Sequence, residues 1–350
     1  MDPPLRNPQS VRRNIKFAAG CGKNATIQMT SERRICAVGH GGPFSMQRVL
    51  STHLFLNQRL HPGLLELAAR SGAQAVEIFA ARQHFDYTSR EHVTELGNWF
   101  AANSLGAFSM HAPLYPDREM GRAGAPAVNV LHPEKSRRID AMDEIKRALE
   151  SAERIPFKNL VVHLGEKEDG WSQRTVEYAH TALEHLGAFA HPLGVRLLVE
   201  NLLSEPTTPT HLLLILELNH LTNVGVCLDL GHAHMTVGVS EAIATLGAHI
   251  GSVHAHDNHG LKDEHLWPGS GTIDWAAAAT ALRGLPETPA MVLEIGNNLG
   301  DPPAALPGKI QQSFELVGLN AATASPAQPE EPALPAGAGR AVGPAPSPAL

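Results

Sequence analysis

Residues 250–275 contain many side chains that are able to bind a metal ion. His254 and His256 follow a short apolar run, and because they are two positions apart they would leave the same face of an extended strand. A glycine-containing loop then adds Asp257, Asp263 and His265. Imidazole nitrogens combined with carboxylate oxygens suit a divalent ion such as Zn, Mn, Co or Fe(II). The alternative is a solvated loop in which histidines cluster by chance, since the chain has 20 His among 350 residues.

Short apolar runs alternate with longer amphipathic runs along the chain, and we predict the apolar runs to be strands. They cover residues 49–54, 75–80, 107–111, 160–164, 197–199, 224–228, 250–253 and 291–295. Strands that are apolar on both faces and alternate with helices are typical of a parallel sheet covered by helices. Eight such units favour an α/β fold of the single (β/α)₈ TIM barrel type over an open doubly wound sheet, and no Gly-x-Gly-x-x-Gly motif follows the first strand.

The amphipathic runs between these strands predict helices. Pro62 suits the first turn of one helix and Gly72 its end, and Ser89 suits the N-cap of the next helix. In a long helix predicted over residues 133–154, apolar side chains at three- and four-residue spacing indicate one buried stripe. This stripe consists of Ile139, Met142, Ile145 and Leu149.

Polar side chains stand at or near the predicted strand ends, where a barrel of this type gathers them at one mouth. They are His53, Glu77, His111, His163, Glu200, Asp229, His254 and Glu294. A buried carboxylate without a partner would shift its pKa or destabilise the fold, so the three acidic residues on the later strands indicate a binding site. For His53 taken alone, a hydrogen-bonded structural role is the simpler interpretation.

Five short motifs at these positions resemble those of the xylose isomerase-like TIM barrels, which include sugar isomerases and epimerases as well as endonuclease IV. The motifs are His-Ala-Pro at His111, Glu-Asn at Glu200, Asp-x-Gly-His at Asp229, His-x-His-Asp-Asn at His254 and Asp-x-His at Asp263. The resemblance covers residues 47–316. The motifs are specific for the superfamily, but they carry little information about which substrate a member binds.

The resemblance implies one divalent ion, Mn, Co, Zn or Mg, in the isomerase and epimerase members. Their ligands carry over to Glu200, Asp229, His254 and Glu294. The two glutamates would also act as the acid and base that move a proton next to a carbonyl, through an enediolate. The expected partner is therefore a small sugar or sugar phosphate. Candidates for substrate contacts are His53, Glu77, Arg82 and His84, with a solvated loop as the alternative for the last two.

The rival function within the superfamily is a zinc phosphodiesterase that acts on abasic DNA. Endonuclease IV holds three zinc ions through nine residues, and this sequence has candidates for all of them: His111, His163, Glu200, Asp229, His232, His254, Asp263, His265 and Glu294. His256 stands where that enzyme has an asparagine, and like His232 it is a candidate for an additional ligand or for a residue behind the ligands. The net charge of −7 and the lack of a basic, aromatic-rich strand-end loop favour the isomerase over a nucleic-acid enzyme.

Composition sets the remaining expectations. A hydrophobic fraction of 43% and a charged fraction of 18% are ordinary for a globular protein, and three cysteines without a Cys-x-x-Cys pair fit a reducing compartment. With no apolar run of about 18 residues and no signal peptide, we expect no membrane span and a cytoplasmic location. A homo-oligomer is compatible with the sequence.

Three regions are expected along the chain. Residues 46–318 form the barrel, whereas residues 1–45 are irregular and residues 319–350 are an Ala/Pro-rich tail, and we predict both of these to be disordered. Met46 directly precedes the first strand. A start of translation at Met46 is therefore a hypothesis for the native protein.

Overall fold

The computed structural model describes residues 46–317 apart from 117–125, 219–220, 222 and 298. In this part of the chain, parallel strands close into a barrel in the order β1 to β8, and β8 pairs back with β1. The strands are β1 Arg48–Ser51, β2 Ala75–Phe79, β3 Gly106–His111, β4 Asn159–Val162, β5 Arg196–Glu200, β6 Val224–Asp229, β7 Ile250–Ala255 and β8 Ala290–Leu293. The predicted (β/α)₈ barrel is confirmed. The predictions for residues 1–45 and 319–350 lie outside the described residues.

Helices separate consecutive strands throughout the described chain. They are α1 Pro62–Arg70, α2 Arg90–Ala102, α3 Lys135–Leu149, α4 Gln173–Ala190, α5 Pro209–Leu218, α6 Leu230–Met235, α7 Val239–Leu246, α8 Trp275–Arg283 and α9 Leu306–Leu316. Among the described residues, no helix combines the length and the apolar character that a bilayer crossing requires.

Local sequence signals explain several helix ends. Pro62 occupies the first turn of α1, and Gly72, just beyond its end, has a φ of +83°. The hydroxyl of Ser89 accepts a hydrogen bond from the backbone N–H of His92 at 3.3 Å, so the predicted N-cap of α2 is confirmed. The strands β1, β4 and β8 end two or three residues before their predicted ends, because only the inner residues pair with neighbouring strands. His53, His163 and Glu294 therefore lie just beyond the strands.

The stripe predicted for α3 is wrong at Ile139, which is 41% exposed. Ala141 is buried together with Ile145, Ala148 and Leu149, so the buried face runs through these residues. Ile139 and Ala141 are two residues apart, which separates them by about 200° around the helix axis. An isoleucine at position 139 therefore faces away from the barrel, although its spacing to later apolar residues is helical.

Alternate residues of β5 form layers inside the barrel beneath the mouth. Leu198, two residues before Glu200, packs with Val161 of β4 and Cys227 of β6. At the level of Arg196, a side chain at Gly225 would collide with the guanidinium group. The interior is thus filled below the mouth, and the carboxylate of Glu200 stands on a packed apolar layer.

Candidate metal centre

Four of the predicted ligands meet at the mouth of the barrel. Glu200 ends β5, Asp229 ends β6, His254 lies in β7 and Glu294 directly follows β8. Each offers one ligand atom, these atoms lie within 4.8 Å of one another, and all four residues are buried. The structure therefore brings together residues that are far apart in the sequence, as the barrel predicts.

The backbone around Asp229 is held by the neighbouring strand. The amide of Asn201 donates to the carbonyl of Asp229 at 3.0 Å, and the N–H of Asp229 donates to Asn201 Oδ1 at 2.7 Å. The carboxylate of Asp229 also accepts from the backbone N–H of His232 at 2.6 Å, which caps the start of α6. Asp229 thus reaches the site from a rigid backbone position.

His254 is surrounded by carboxylates. Its Nδ1 lies 3.2 Å from Glu200 Oε1 and 3.3 Å from Glu294 Oε2. Burial alone would lower the pKa of the imidazole, but the groups packed around it, including the carboxylates of Glu294 and Glu200, raise the pKa of His254 well above its usual value. Nδ1 is the nitrogen that faces the other three ligands.

A second group of ligand atoms shares Glu200 with the first. His111, His163 and Glu200 form this group. Glu200 Oε2 lies 3.0 Å from Nε2 of His163 and 3.3 Å from Nε2 of His111, whereas Oε1 faces His254. His111 Nδ1 lies 2.8 Å from the carbonyl oxygen of Ala112, and although burial lowers its pKa, the contact with the Glu200 carboxylate raises the pKa of His111 above its usual value, so that both ring nitrogens are able to donate. Glu200 therefore joins both groups.

A third group of ligand atoms lies on the opposite side of Asp229. It consists of His256, Asp263 and His265. Asp263 Oδ2 lies 3.2 Å from Nε2 of His265 and 3.2 Å from Nε2 of His232. Burial opposes charge on His232, but the nearby Asp229 and Asp263 raise the pKa of His232 to about 10. The predicted residues His232 and His265 therefore both reach Asp263.

His256 is the member of this third group that also contacts Asp229. Its Nε2 is 3.0 Å from Asp229 Oδ2, and its ring stacks on that of His265 with centroids 3.9 Å apart. A side chain at Gly231 would collide with the His256 ring, so the glycine of the Asp-x-Gly-His motif gives the imidazole its room.

The loop between β7 and α8 is organised by Asp257, which the sequence suggested as a ligand. Its carboxylate instead accepts hydrogen bonds from three backbone N–H groups and from an indole. The donors are the N–H groups of Asn258, Gly269 and Ile273 and Nε1 of Trp275. A side chain at Gly271 would collide with the carbonyl oxygen of Asn258. Because glycine has no side chain, the two backbone segments are able to approach each other closely here. Asp257 therefore holds the loop that presents Asp263 and His265.

The donor set fits a divalent cation. Three buried carboxylates surround one imidazole, and such a concentration of negative charge is costly without a cation. In the third group, Asp263 Oδ1 is buried and accepts no hydrogen bond from the described residues. Mixed nitrogen and oxygen donors suit Zn, Mn, Co and Fe(II).

A cavity of about 370 Å³ lies above the ligands. Glu200 and Glu294 line it, whereas the buried Asp229 and His254 do not. Its other wall is largely apolar and consists of Phe79, Leu114, Tyr115, Val128, Leu202 and Leu203. Lys167 lies at this cavity between Glu166 and Glu168, and the described lining residues include no arginine. The cavity is therefore rich in carboxylates and imidazoles and poor in cationic side chains.

The residues predicted to contact a substrate lie in different places. His53 lines the cavity and its Nδ1 is 3.0 Å from the carbonyl oxygen of Ile295, with a pKa that burial lowers to about 4. Glu77 is fully buried and lies below the cavity, against His254.

Arg82 and His84 do not reach the cavity. Arg82 pairs with Glu144 of α3 at 2.6 Å, and the hydroxyl of Tyr87 donates to the same carboxylate at 2.5 Å. His84 is buried, with Nδ1 2.6 Å from the carbonyl oxygen of Gln58. Arg82 is thus held against α3 and His84 against the segment that follows β1, and neither lines the cavity.

A family model described as xylose isomerase-like TIM barrel matches residues 65–316. The chain belongs to this family. A relative in Methanocaldococcus jannaschii, uncharacterized protein MJ1311, is 31% identical over 149 residues, which are 40% of this chain and 51% of the relative. The chain thus spans about half the length of this curated relative.

Two solved structures of similar fold match this chain over nearly the whole of their own length. A D-tagatose 3-epimerase-like protein has a TM-score of 0.62 and 24% identity over 78% of this chain and 98% of its own. The IOLI protein, solved with a bound zinc atom, has a TM-score of 0.63 and 17% identity over 78% of this chain and 98% of its own. At this identity the likeness shows a shared barrel.

Proposed function

We propose that this xylose isomerase-like barrel is a divalent-metal-dependent isomerase or epimerase of a sugar or sugar phosphate. The observation that carries the proposal is that two of the four buried ligands line the cavity. Glu200 and Glu294 line it and lie 3.2 and 3.3 Å from His254 Nδ1, whereas Asp229 and His254 do not line it. The two glutamates are therefore the ligands that a substrate would touch. A D-tagatose 3-epimerase-like protein is among the structures of similar fold, which agrees with this function.

Glu200, Asp229, His254 and Glu294 would hold the ion. A bound divalent ion would stabilise the negative charge that develops on the substrate oxygens when the carbon next to a carbonyl loses its proton. One glutamate takes that proton, and the other glutamate, which enters the step protonated, gives its proton to the resulting enediolate on the opposite face or on the adjacent carbon. Return to the opposite face gives an epimer, and return to the adjacent carbon gives an isomer.

Neighbouring imidazoles orient Glu200 for this role. His163 and His111 hold Oε2 at 3.0 and 3.3 Å, which leaves the other oxygen, Oε1, on the side of His254 and Glu294. His53 and His265 lie on the side of Glu294, since both line the cavity and His265 Nδ1 is 2.9 Å from the carbonyl oxygen of Glu294. Each glutamate therefore has its own set of positioning contacts.

Proton exchange tests the proposal. Wild type and Glu294→Gln, each supplied with Mn²⁺, are incubated in D₂O with a panel of free and phosphorylated ketoses and aldoses, and NMR follows deuterium at the carbon next to the carbonyl. We expect exchange with at least one sugar in the wild type and a loss of at least about 100-fold in the variant. Equal exchange in a folded Glu294→Gln variant would remove Glu294 from catalysis.

A zinc phosphodiesterase is the second candidate, because the described residues also form two further ligand groups. His111 and His163 meet at Glu200, and His265 meets His232 at Asp263. Clusters of this kind activate a hydroxide and neutralise a phosphodiester. The cavity, with Lys167 set between two glutamates and no arginine among its described lining residues, offers little to a DNA backbone. Cleavage of a duplex with one abasic site by the zinc-loaded chain would favour this second function.

A further inference from the structure

Glu77 lies in β2, deep inside the barrel, and none of its surface is exposed. Both oxygens of its carboxylate approach Nε2 of His254, at 3.2 Å and 3.3 Å. Glu77 belongs to none of the three ligand groups and does not line the cavity above them. A carboxylate in this position is costly to bury, so its contacts indicate what it does.

The two nitrogens of His254 face opposite partners. Nδ1 is directed at Glu200 and Glu294, on the side where the ion would bind, and Nε2 is directed at Glu77. An imidazole that binds a metal through Nδ1 carries its proton on Nε2, and this N–H needs an acceptor. The Glu77 carboxylate is that acceptor.

A second contact fixes the carboxylate itself. The hydroxyl of Ser109, on the neighbouring strand β3, donates to Glu77 Oε2 at 2.8 Å. Glu77 is therefore held from one side by Ser109 while it holds His254 on the other. The chain Ser109, Glu77, His254 runs through the barrel interior to the ligand site.

We propose that Glu77 is a positioning residue of the metal centre. It directs Nδ1 of His254 at the ion and adds a negative charge behind this ligand, which strengthens the imidazole as a donor. This inference rests on the proposed function, since it requires His254 to bind the ion.

Metal binding by the full-length chain tests the inference. The dissociation constant for Mn²⁺ is measured by chelator competition, and the visible spectrum is recorded with Co²⁺, for wild type, Glu77→Gln and Ser109→Ala. We expect Glu77→Gln to weaken Mn²⁺ binding about 10- to 100-fold and to change the Co²⁺ spectrum, because the amide lacks the charge and is able to donate to Nε2. Ser109→Ala keeps the carboxylate but removes the hydrogen bond that fixes it, so we expect a smaller loss of Mn²⁺ affinity, of about two- to threefold.

The outcomes separate the two claims. Wild-type affinity and an unchanged Co²⁺ spectrum in Glu77→Gln would overturn the role of Glu77 and leave the proposed function intact. A wild type that binds neither Mn²⁺ nor Co²⁺ would overturn the proposed function and the inference with it. If Glu77→Gln does not fold, Glu77→Asp is measured instead. It keeps the charge but draws the carboxylate back from His254, so unchanged affinity and spectrum there would also contradict the inference.

Discussion

The side chain of Asn201 pairs with the backbone of Asp229 through two hydrogen bonds, one to its carbonyl oxygen and one from its N–H. Asn201 directly follows β5 and Asp229 ends the neighbouring strand β6, and each belongs to a different motif. The backbone carbonyl oxygen of Asn201 also lies 2.9 Å from Nδ1 of His232, which leaves Nε2 of that imidazole directed at Asp263. One asparagine thus positions a ligand of the central group and an imidazole that contacts the third group.

We expect Asn201→Ala to destabilise the barrel and the ligand site together. The substitution removes both hydrogen bonds between the Asn201 side chain and the backbone of Asp229, and leaving the buried N–H without this acceptor costs about 1–3 kcal/mol of unfolding free energy. Urea unfolding of the metal-free chain and Mn²⁺ titration check the two effects. Leu202→Ala, at the next position and only half-buried, is the control for a change at the end of β5. Equal stability and equal affinity of Asn201→Ala and wild type would contradict this role.

The loop between β7 and α8 is expected to depend on the charge of Asp257. Asp257→Asn replaces one accepting oxygen by an amide donor that faces other donors, so we expect a loss of about 3 kcal/mol in unfolding free energy. Limited proteolysis should then cut within residues 257–271. Asp274→Asn removes only the charge of an exposed helix cap and should cost about 1 kcal/mol or less. Equal effects of the two substitutions would contradict the special role of Asp257.

Acid stability is expected to depend on His84. Burial lowers the pKa of His84 from 6.5 to about 4, so the folded chain binds fewer protons there than the unfolded chain. Above pH 6.5 the imidazole is neutral in both states, and the free energy of unfolding keeps its full value. As the pH falls from 6.5 towards 4, His84 is protonated in the unfolded chain but not in the folded chain, and the free energy of unfolding decreases. At about 1.4 kcal/mol per pKa unit, this loss reaches about 3 kcal/mol.

His84→Asn offers the matched comparison, because its amide is able to donate to the same carbonyl but does not titrate. Unfolding free energies at pH 7, 6, 5 and 4 should show a smaller decline in the variant than in the wild type. Parallel pH profiles would show that His84 does not supply this dependence.

Much of the site can be predicted from the sequence, because the barrel brings the C-terminal ends of its strands together at one mouth. A carboxylate or imidazole at the end of an apolar strand, as at Glu200 and Asp229, is placed at the mouth by the fold itself. Depth inside the barrel is harder to predict. Glu77 pairs in register with Ser51 and Ser109 and lies two residues before the end of β2, so it faces His254 from below. That contact crosses the barrel between β2 and β7, and sequence spacing does not reveal it.

In the loops, residue type alone does not reveal which partner a side chain contacts. Asp257 has the residue type of a ligand, but three backbone N–H groups and an indole occupy its oxygens. Arg82 has the residue type of a phosphate contact, but it forms an ion pair with Glu144 of α3, which lies far along the chain. In both cases the competing partner is fixed by tertiary packing, which residue type does not encode.

The number of metal ions per chain tests the proposed single-ion centre. Elemental analysis is performed on wild type and on Asp229→Asn, after purification without added metal and again after dialysis against Mn²⁺ or Zn²⁺. We expect one ion per wild-type chain with Mn²⁺ and less than about one tenth of that in the variant, because Asp229 is a buried residue of the central group. Three zinc ions per chain would contradict the isomerase assignment in favour of phosphodiester cleavage, and a chain that retains no ion would contradict a metal-dependent enzyme altogether.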